Sequence, residues 1–339
     1  METMEILAIV SAGVIGGAIL MYVVLDGFDL GVGILFPFAP GESARDAMIN
    51  SVAPVWDGNE TWLVLGGGGL LVFFPTAYSI ALPAFYIPIM AMLFALIFRG
   101  VTFEFRHTAH TSVHLWNRSF FFGSLIAAFM QGVLAGALVQ GVHVEEMRYA
   151  GGMFDWLTPF TVLTGIGVVA GYGLLGAGWL IYKTEGPLQD WARRAAVVLG
   201  GGVLVAMGAV SVMTPLLRPA IAERWFGGIN LIYFAPVPFL TAALAIWLFY
   251  SIFTKRELAP FLSAIGLFIL GFFGLAISLY PDIVPPSVTV WDAVAPYSSV
   301  VFALVGVALV LPMVLGYTVY AYSVFHGKVR EGEGYGQHD

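Results

Sequence analysis

Four carboxylates stand where an apolar chain tolerates them least. Asp26 and Asp29 lie deep in the apolar run that begins at Ile6, within Leu25-Asp26-Gly27-Phe28-Asp29-Leu30-Gly31-Val32-Gly33. Asp57 and Glu60 open the next run, within Pro54-Val55-Trp56-Asp57-Gly58-Asn59-Glu60-Thr61-Trp62. Both pairs are spaced i,i+3, so on a helix each pair shares one face. Neighbouring acids repel when both are ionised, and sharing a proton relieves that repulsion. Pro54 suits a first helical turn, which puts Asp57 near the positive end of that helix's dipole. An acid at the centre of a membrane helix costs about 2.5–3.5 kcal/mol, so such residues usually serve a proton or ion path. The chemistry they suit is proton relay. The competing reading is structural: the acids pair with Arg45, Arg99 or Arg106, or cap broken helices, and so fix the fold. The first apolar run holds two deep acids and no basic residue beside them, which favours the relay.

The elements that position these groups must lie in a bilayer. Of 339 residues, 59% are hydrophobic and 10% charged, against about 25% charged in a soluble domain. Nine stretches reach the roughly 20 apolar residues that a span requires: 6–36, 54–74, 78–98, 119–140, 158–182, 191–213, 230–253, 259–280 and 297–325. None alternates as membrane strands do, so the expected class is an all-α integral membrane protein. With nine spans, three basic residues, Arg148, Arg218 and Arg224, fall on the side of the N-terminus, and the other eleven fall opposite. Cytoplasmic loops carry the excess of Lys and Arg, so the N-terminus is expected to be periplasmic and the C-terminus cytoplasmic. Counted from Ile6, Asp26 lies about 30 Å along its helix, which brings both acidic pairs toward the cytoplasmic half. Residues 1–326 then form one polytopic domain, and 327–339 a short, disordered cytoplasmic tail. Gly27-Phe28-Asp29-Leu30 is echoed by Gly171-Tyr172-Gly173-Leu174, which predicts two four-helix bundles followed by a ninth helix.

Several chemistries are excluded. With no cysteine there is no disulfide, thiolate haem or iron–sulfur cluster. The net charge of −7 argues against nucleic acid. The first five residues hold two Glu and no basic residue, unlike a secretory signal, so the first helix is expected to be retained. Gly66-Gly67-Gly68-Gly69 lacks the Lys-Ser/Thr of a phosphate loop and suits close helix approach instead. All six histidines fall in loops or at helix ends. His107, His110 and His114 have a spacing that could hold a metal, but a basic cytoplasmic loop explains them better, and no metal site is expected.

The two acidic stretches, extended upstream of the second by Met48-Ile49-Asn50-Ser51-Val52-Ala53, resemble the signatures of cytochrome bd-type quinol oxidase subunit II, including its cyanide-insensitive branch. Phe98-Arg99-Gly100-Val101-Thr102-Phe103-Glu104-Phe105-Arg106 and Pro286-Ser287-Val288-Thr289-Val290-Trp291-Asp292 are similar to two further stretches of that family. The resemblance implies a heterodimer in which subunit I binds the haems, b and d or b alone, and oxidises quinol. Subunit II would stabilise it and supply protons and oxygen. It implies no haem ligand in this chain, and it admits a small single-helix third subunit and a quinone held in a lipid-facing groove. The implied setting is the bacterial inner membrane. Asp57 becomes the first candidate for proton uptake, followed by Asp26, Asp29 and Glu60. Trp62 matches a tryptophan beside an apolar oxygen path, or else packs at the subunit interface. Trp291-Asp292 is read as structural, and Arg99, Glu104 and Arg106 as serving topology and an ion pair. The rivals are a secondary transporter with carboxylate-based ion coupling, and a scaffold with no part in delivery.

Overall fold

The computed structural model describes residues 2–106, 108–109 and 111–329. Its helices run in the order α1 (Glu2–Leu35), α2 (Glu42–Val52), α3 (Trp56–Phe73), α4 (Pro75–Ala84), α5 (Tyr86–Phe105), α6 (Val113–Gln140), α7 (Pro159–Lys183), α8 (Gly186–Leu217), α9 (Pro219–Phe226), α10 (Asn230–Phe234), α11 (Pro236–Phe253), α12 (Ala259–Leu279), α13 (Val290–Ala293) and α14 (Tyr297–Val324). Two short antiparallel hairpins, Val144–Glu145 with Arg148–Tyr149 and Asp282–Val284 with Val288–Thr289, close loops between helices. By length and composition, eight of the described helices could cross a membrane. The stretch expected at 54–74 is not among them. It forms α3, whose first turns carry Asp57, Asn59 and Glu60 and lower its hydropathy.

Helix ends follow local chemistry. α7 starts at a capping box in which Thr158 and Thr161 satisfy each other's backbone N–H, with Pro159 in the first turn. α3 starts two residues later than Pro54, after Val55, and no side chain caps it. The third expected span, 78–98, is displaced. Pro88 has no N–H to donate, and its ring crowds the carbonyl one turn back. The chain kinks at Phe85 (φ −115°, ψ 22°), separates α4 from α5, and continues helical to Phe105. Arg99 therefore sits inside a helix instead of beyond its end.

Unpaired carbonyls are costly in an apolar medium, and cations favour helix C-termini. Arg218 donates to Val139 O and Gln140 O at the end of α6, and Arg224 to Ile277 O and Ser278 O at the end of α12. Arg193 donates to Lys255 O and Arg256 O beyond α11. Lys183 donates to Phe325 O and Gly327 O beyond α14. The same contact reaches the first residues of the expected tail. Gly327 to Val329 are docked, with Val329 N donating to Lys183 O at 2.8 Å and Lys328 paired with Glu257 at 2.8 Å. The remainder of the expected tail, 330–339, lies outside the described residues.

α1 is the hub and packs against α3, α6 and α7; α5 packs on α6, α7 on α8 and α12, and α11 on α12. α14 lies against α3 and α1 with only Val300 buried. The two echoed segments meet face to face at the α1–α7 crossing. A Cβ on Gly31 would overlap the carbonyl oxygen of Tyr172 and the amide of Gly176, and one on Gly176 would overlap the Gly31–Val32 backbone. Small residues allow this backbone contact.

Candidate functional site

The α1–α7 contact fixes the depth and rotation of α1, and with them the direction of its two acids. Asp26 and Asp29 are 0% exposed, and so is Arg99 of α5. Gly123 lets α6 press on the backbone around Arg99, and the guanidinium lies over the Phe103 ring at 6.0 Å. Arg99 Nη1 lies 2.7 Å from Asp26 Oδ1 and 4.0 Å from Glu60 Oε2; its Nη2 lies 3.9 Å from Asp29 Oδ2. One guanidinium thus faces three carboxyls. Asp26 and Asp29 are fully buried and Glu60 is half-buried, so ionising all three would leave two charges uncompensated with little water to solvate them, which is unfavourable. The arrangement has more carboxyl groups than positive charge can balance, so it offers places for a proton to rest.

Neutral polar groups extend the cluster both ways. Asn59 Nδ2 donates to Asp29 Oδ2 at 2.7 Å, and Tyr322 OH donates to Asn59 Oδ1 at 2.9 Å. Phe28 and Trp179 stack at 4.2 Å and meet the Tyr322 ring edge-on, which holds that phenol in place. On the other side, Tyr22 lies one turn before Asp26 on the same face of α1. Gln131 Nε2 donates to Tyr22 OH at 2.8 Å, while Gln131 Oε1 accepts from Tyr172 OH at 2.5 Å. With the Tyr22 oxygen so engaged, its own proton is free to turn toward Asp26.

Asp26, Asp29 and Glu60 are therefore brought together, and Asp57 is not. Its side chain is exposed on the first turn of α3, outside the ion cluster. The Arg99 pairing expected by the structural reading is present. Arg45 instead pairs with Glu42, and Arg106 with Asp46 at 2.7 Å. Trp62 is buried against Ala18 and Tyr22. It lines an apolar groove of about 460 Å3 together with Val10, Gly17, Met21, Leu65 and Leu311. Trp291-Asp292 lies in α13, where Asp292 and Thr289 cap each other, and this interaction holds Asp292 below the usual carboxylate range. The described histidines, His114, His143 and His326, are all exposed. His107 and His110 lie outside the described residues, and no metal-binding cluster occurs among those described.

The sequence offers Arg99 as one of three possible partners of the acids, and reading it for acids gives no indication of Tyr22, Asn59, Gln131, Tyr172 and Tyr322 around them. The available signal was an amide within an apolar run: Asn59 and Gln131 are polar groups that lipid would penalise unless they are bonded.

The model of the family described as cytochrome bd terminal oxidase subunit II matches residues 7–325. The chain is 31% identical to cytochrome bd-I ubiquinol oxidase subunit 2 of Escherichia coli K12, over 96% of each chain. It is 32% identical to cytochrome bd ubiquinol oxidase subunit 2 of Bacillus subtilis 168, over 91% of this chain and 93% of that one. The solved bd oxidase of Geobacillus thermodenitrificans has a chain of the same fold, with a TM-score of 0.76 and 16% identity over 95% of this chain and 99% of that one.

Proposed function

The chain belongs to the cytochrome bd terminal oxidase subunit II family, multi-pass inner-membrane subunits of a quinol oxidase complex, and we propose that its task there is to bring protons from the cytoplasm to the haem-bearing partner. The observation that carries this reading is the group of buried Asp26 and Asp29 and half-buried Glu60 around one guanidinium. Reduction of dioxygen to water consumes one proton for every electron, and a site within the membrane obtains them only through protonatable groups. The secondary-transporter alternative does not fit an oxidase family.

In this reading α3 is the second of nine spans, and the excess of basic residues places the C-terminus in the cytoplasm. Asp57, exposed where α3 begins, collects protons, and Glu60, Asp29 and Asp26 hold them further in. Subunit I carries the haems, b and d or b alone, which supply the oxygen and electron chemistry. The apolar groove beside Trp62 suits oxygen or a quinone tail, since its walls are almost entirely hydrocarbon. Stabilising subunit I is part of the same task. α14 presents a long apolar face with one buried residue, a surface on which a partner helix could pack. A small third subunit would have room on the faces left open.

Arg99 also favours a second reading, in which the acids only lock α1, α3 and α5 together. Asp57→Asn separates the two, because Asp57 is outside that lock. In the assembled oxidase it is expected to cut oxygen consumption about tenfold or more with the haem spectrum intact. Normal turnover would remove Asp57 from the relay, and loss of haem would assign it to the fold. Trp62→Ala is expected to change oxygen-binding kinetics more than quinol affinity. The reverse result, read by flash photolysis and quinol titration, would remove Trp62 from the gas path.

A further inference from the structure

We propose that the cleft where α3 begins and α14 ends is a water site through which the buried carboxyl cluster exchanges protons with solvent, and that Asn59 is its stopper. This rests on the relay reading above and adds the place where the relay meets water. The cleft holds about 20 Å3 and is lined by Val55, Gly58, Asn59, Thr318, Ala321 and Tyr322. One water needs about 10–15 Å3 measured this way and two or more polar partners. Tyr322, Asn59 and Thr318 line it; their donors are engaged with Asn59 Oδ1, Asp29 Oδ2 and Val314 O, and their oxygens keep lone pairs to accept from a water. Asp57 does not itself line the cleft, but its neighbour Gly58 does, so a proton that Asp57 collects passes next to the water in the cleft.

The cleft is one side chain away from the cluster. Asn59 is 1% exposed; its oxygen accepts from Tyr322 and its nitrogen donates to Asp29 Oδ2. An amide can bond on both sides, yet it passes no proton along without becoming an imidic acid, which is strongly unfavourable. The bonded Asn59 therefore insulates Asp29 from the cleft. When the amide turns aside and a water bridges in its place, a hydronium in the cleft gives its proton to Asp29 Oδ2 and is left as water. Tyr322, held by the Phe28 and Trp179 rings, keeps the stopper seated.

The test uses the assembled oxidase and follows H/D exchange of the buried carboxyl C=O stretch by infrared after transfer to D2O. Ala321→Leu fills the cleft and removes no hydrogen-bonding side chain. It is expected to slow exchange about tenfold and oxygen consumption in proportion, with the haem spectrum unchanged, while Gly68→Ala, whose methyl meets nothing within 4 Å and lies outside the cleft lining, behaves as the parent. Parental exchange in Ala321→Leu would overturn the proposal. If that variant does not assemble, Tyr322→Phe decides: loosening the stopper should make exchange several-fold faster, which no packing role predicts, and an unchanged rate would overturn it. Asp29→Asn separates the layers. If it is slow while Ala321→Leu is normal, only the cleft fails; if Asp29→Asn and Asp57→Asn both turn over normally, the relay fails.

Discussion

Arg99→Met is expected to prevent the oxidase from accumulating, because it leaves Asp26, Asp29 and Glu60 facing one another with no cation. Removing one partner of a buried ion pair costs about 3–5 kcal/mol, a large share of the roughly 5–15 kcal/mol that holds a typical domain folded. The loss is greatest at Asp26, only 2.7 Å from the guanidinium and itself fully buried. Adding Asp26→Asn should therefore recover part of the complex, since the double variant removes the charge as well as its partner. Haem content per milligram of membrane protein and elution of the intact complex measure both. If the single variant accumulates as the parent does, the cluster does not hold the fold. If the double variant is no better than the single one, Asp26 is not the main partner.

Gly31→Val should be as damaging for a steric reason. The added carbons would fall on the backbone of α7 at Tyr172 and Gly176, and no rotamer change moves a carbonyl oxygen. Overpacking of a filled site ordinarily costs about 1–3 kcal/mol through small shifts. Here α1 would have to separate from α7, drawing Asp26 and Asp29 away from Arg99. We expect loss of the assembled complex for Gly31→Val and a marked loss for Gly31→Ala. Gly68→Ala is the control, because nothing lies within 4 Å of its added methyl and alanine is the better helix former. Equal yields of Gly31→Ala and Gly68→Ala would show that the crossing is looser than drawn.

Both expectations turn on features that reading along the chain finds unequally. The helical class and the locations of most spans follow from hydropathy, since an interior without water admits only long apolar helices. The acidic pairs were equally visible, because an Asp within such a run stands out against its cost. Their cation was one of three candidates, with Arg45 and Arg106. Arg99 read as the flank of a span ending at residue 98, and only the kink at Phe85 moves that helix along the chain and carries the guanidinium inside. Asp57 ranks first among the candidates by its resemblance to the family's signature stretch. Whether it joined the others depended on the rotation of α3, which hydropathy does not reveal, and it stays outside.

The sequence alone determined that this is a membrane protein with carboxylates in its first two apolar segments, because composition and i,i+3 spacing are local properties. The tertiary structure decided which groups those carboxylates meet. Tyr322 reaches Asn59 across 263 residues and Tyr172 reaches Gln131 across 41, and hydrogen bonds between such distant positions exist only once helices have packed. The packing depends on a glycine-to-backbone contact of α1 with α7, where the absence of side chains, visible as Gly31 and Gly176, acquires meaning only when the two helices are placed against each other.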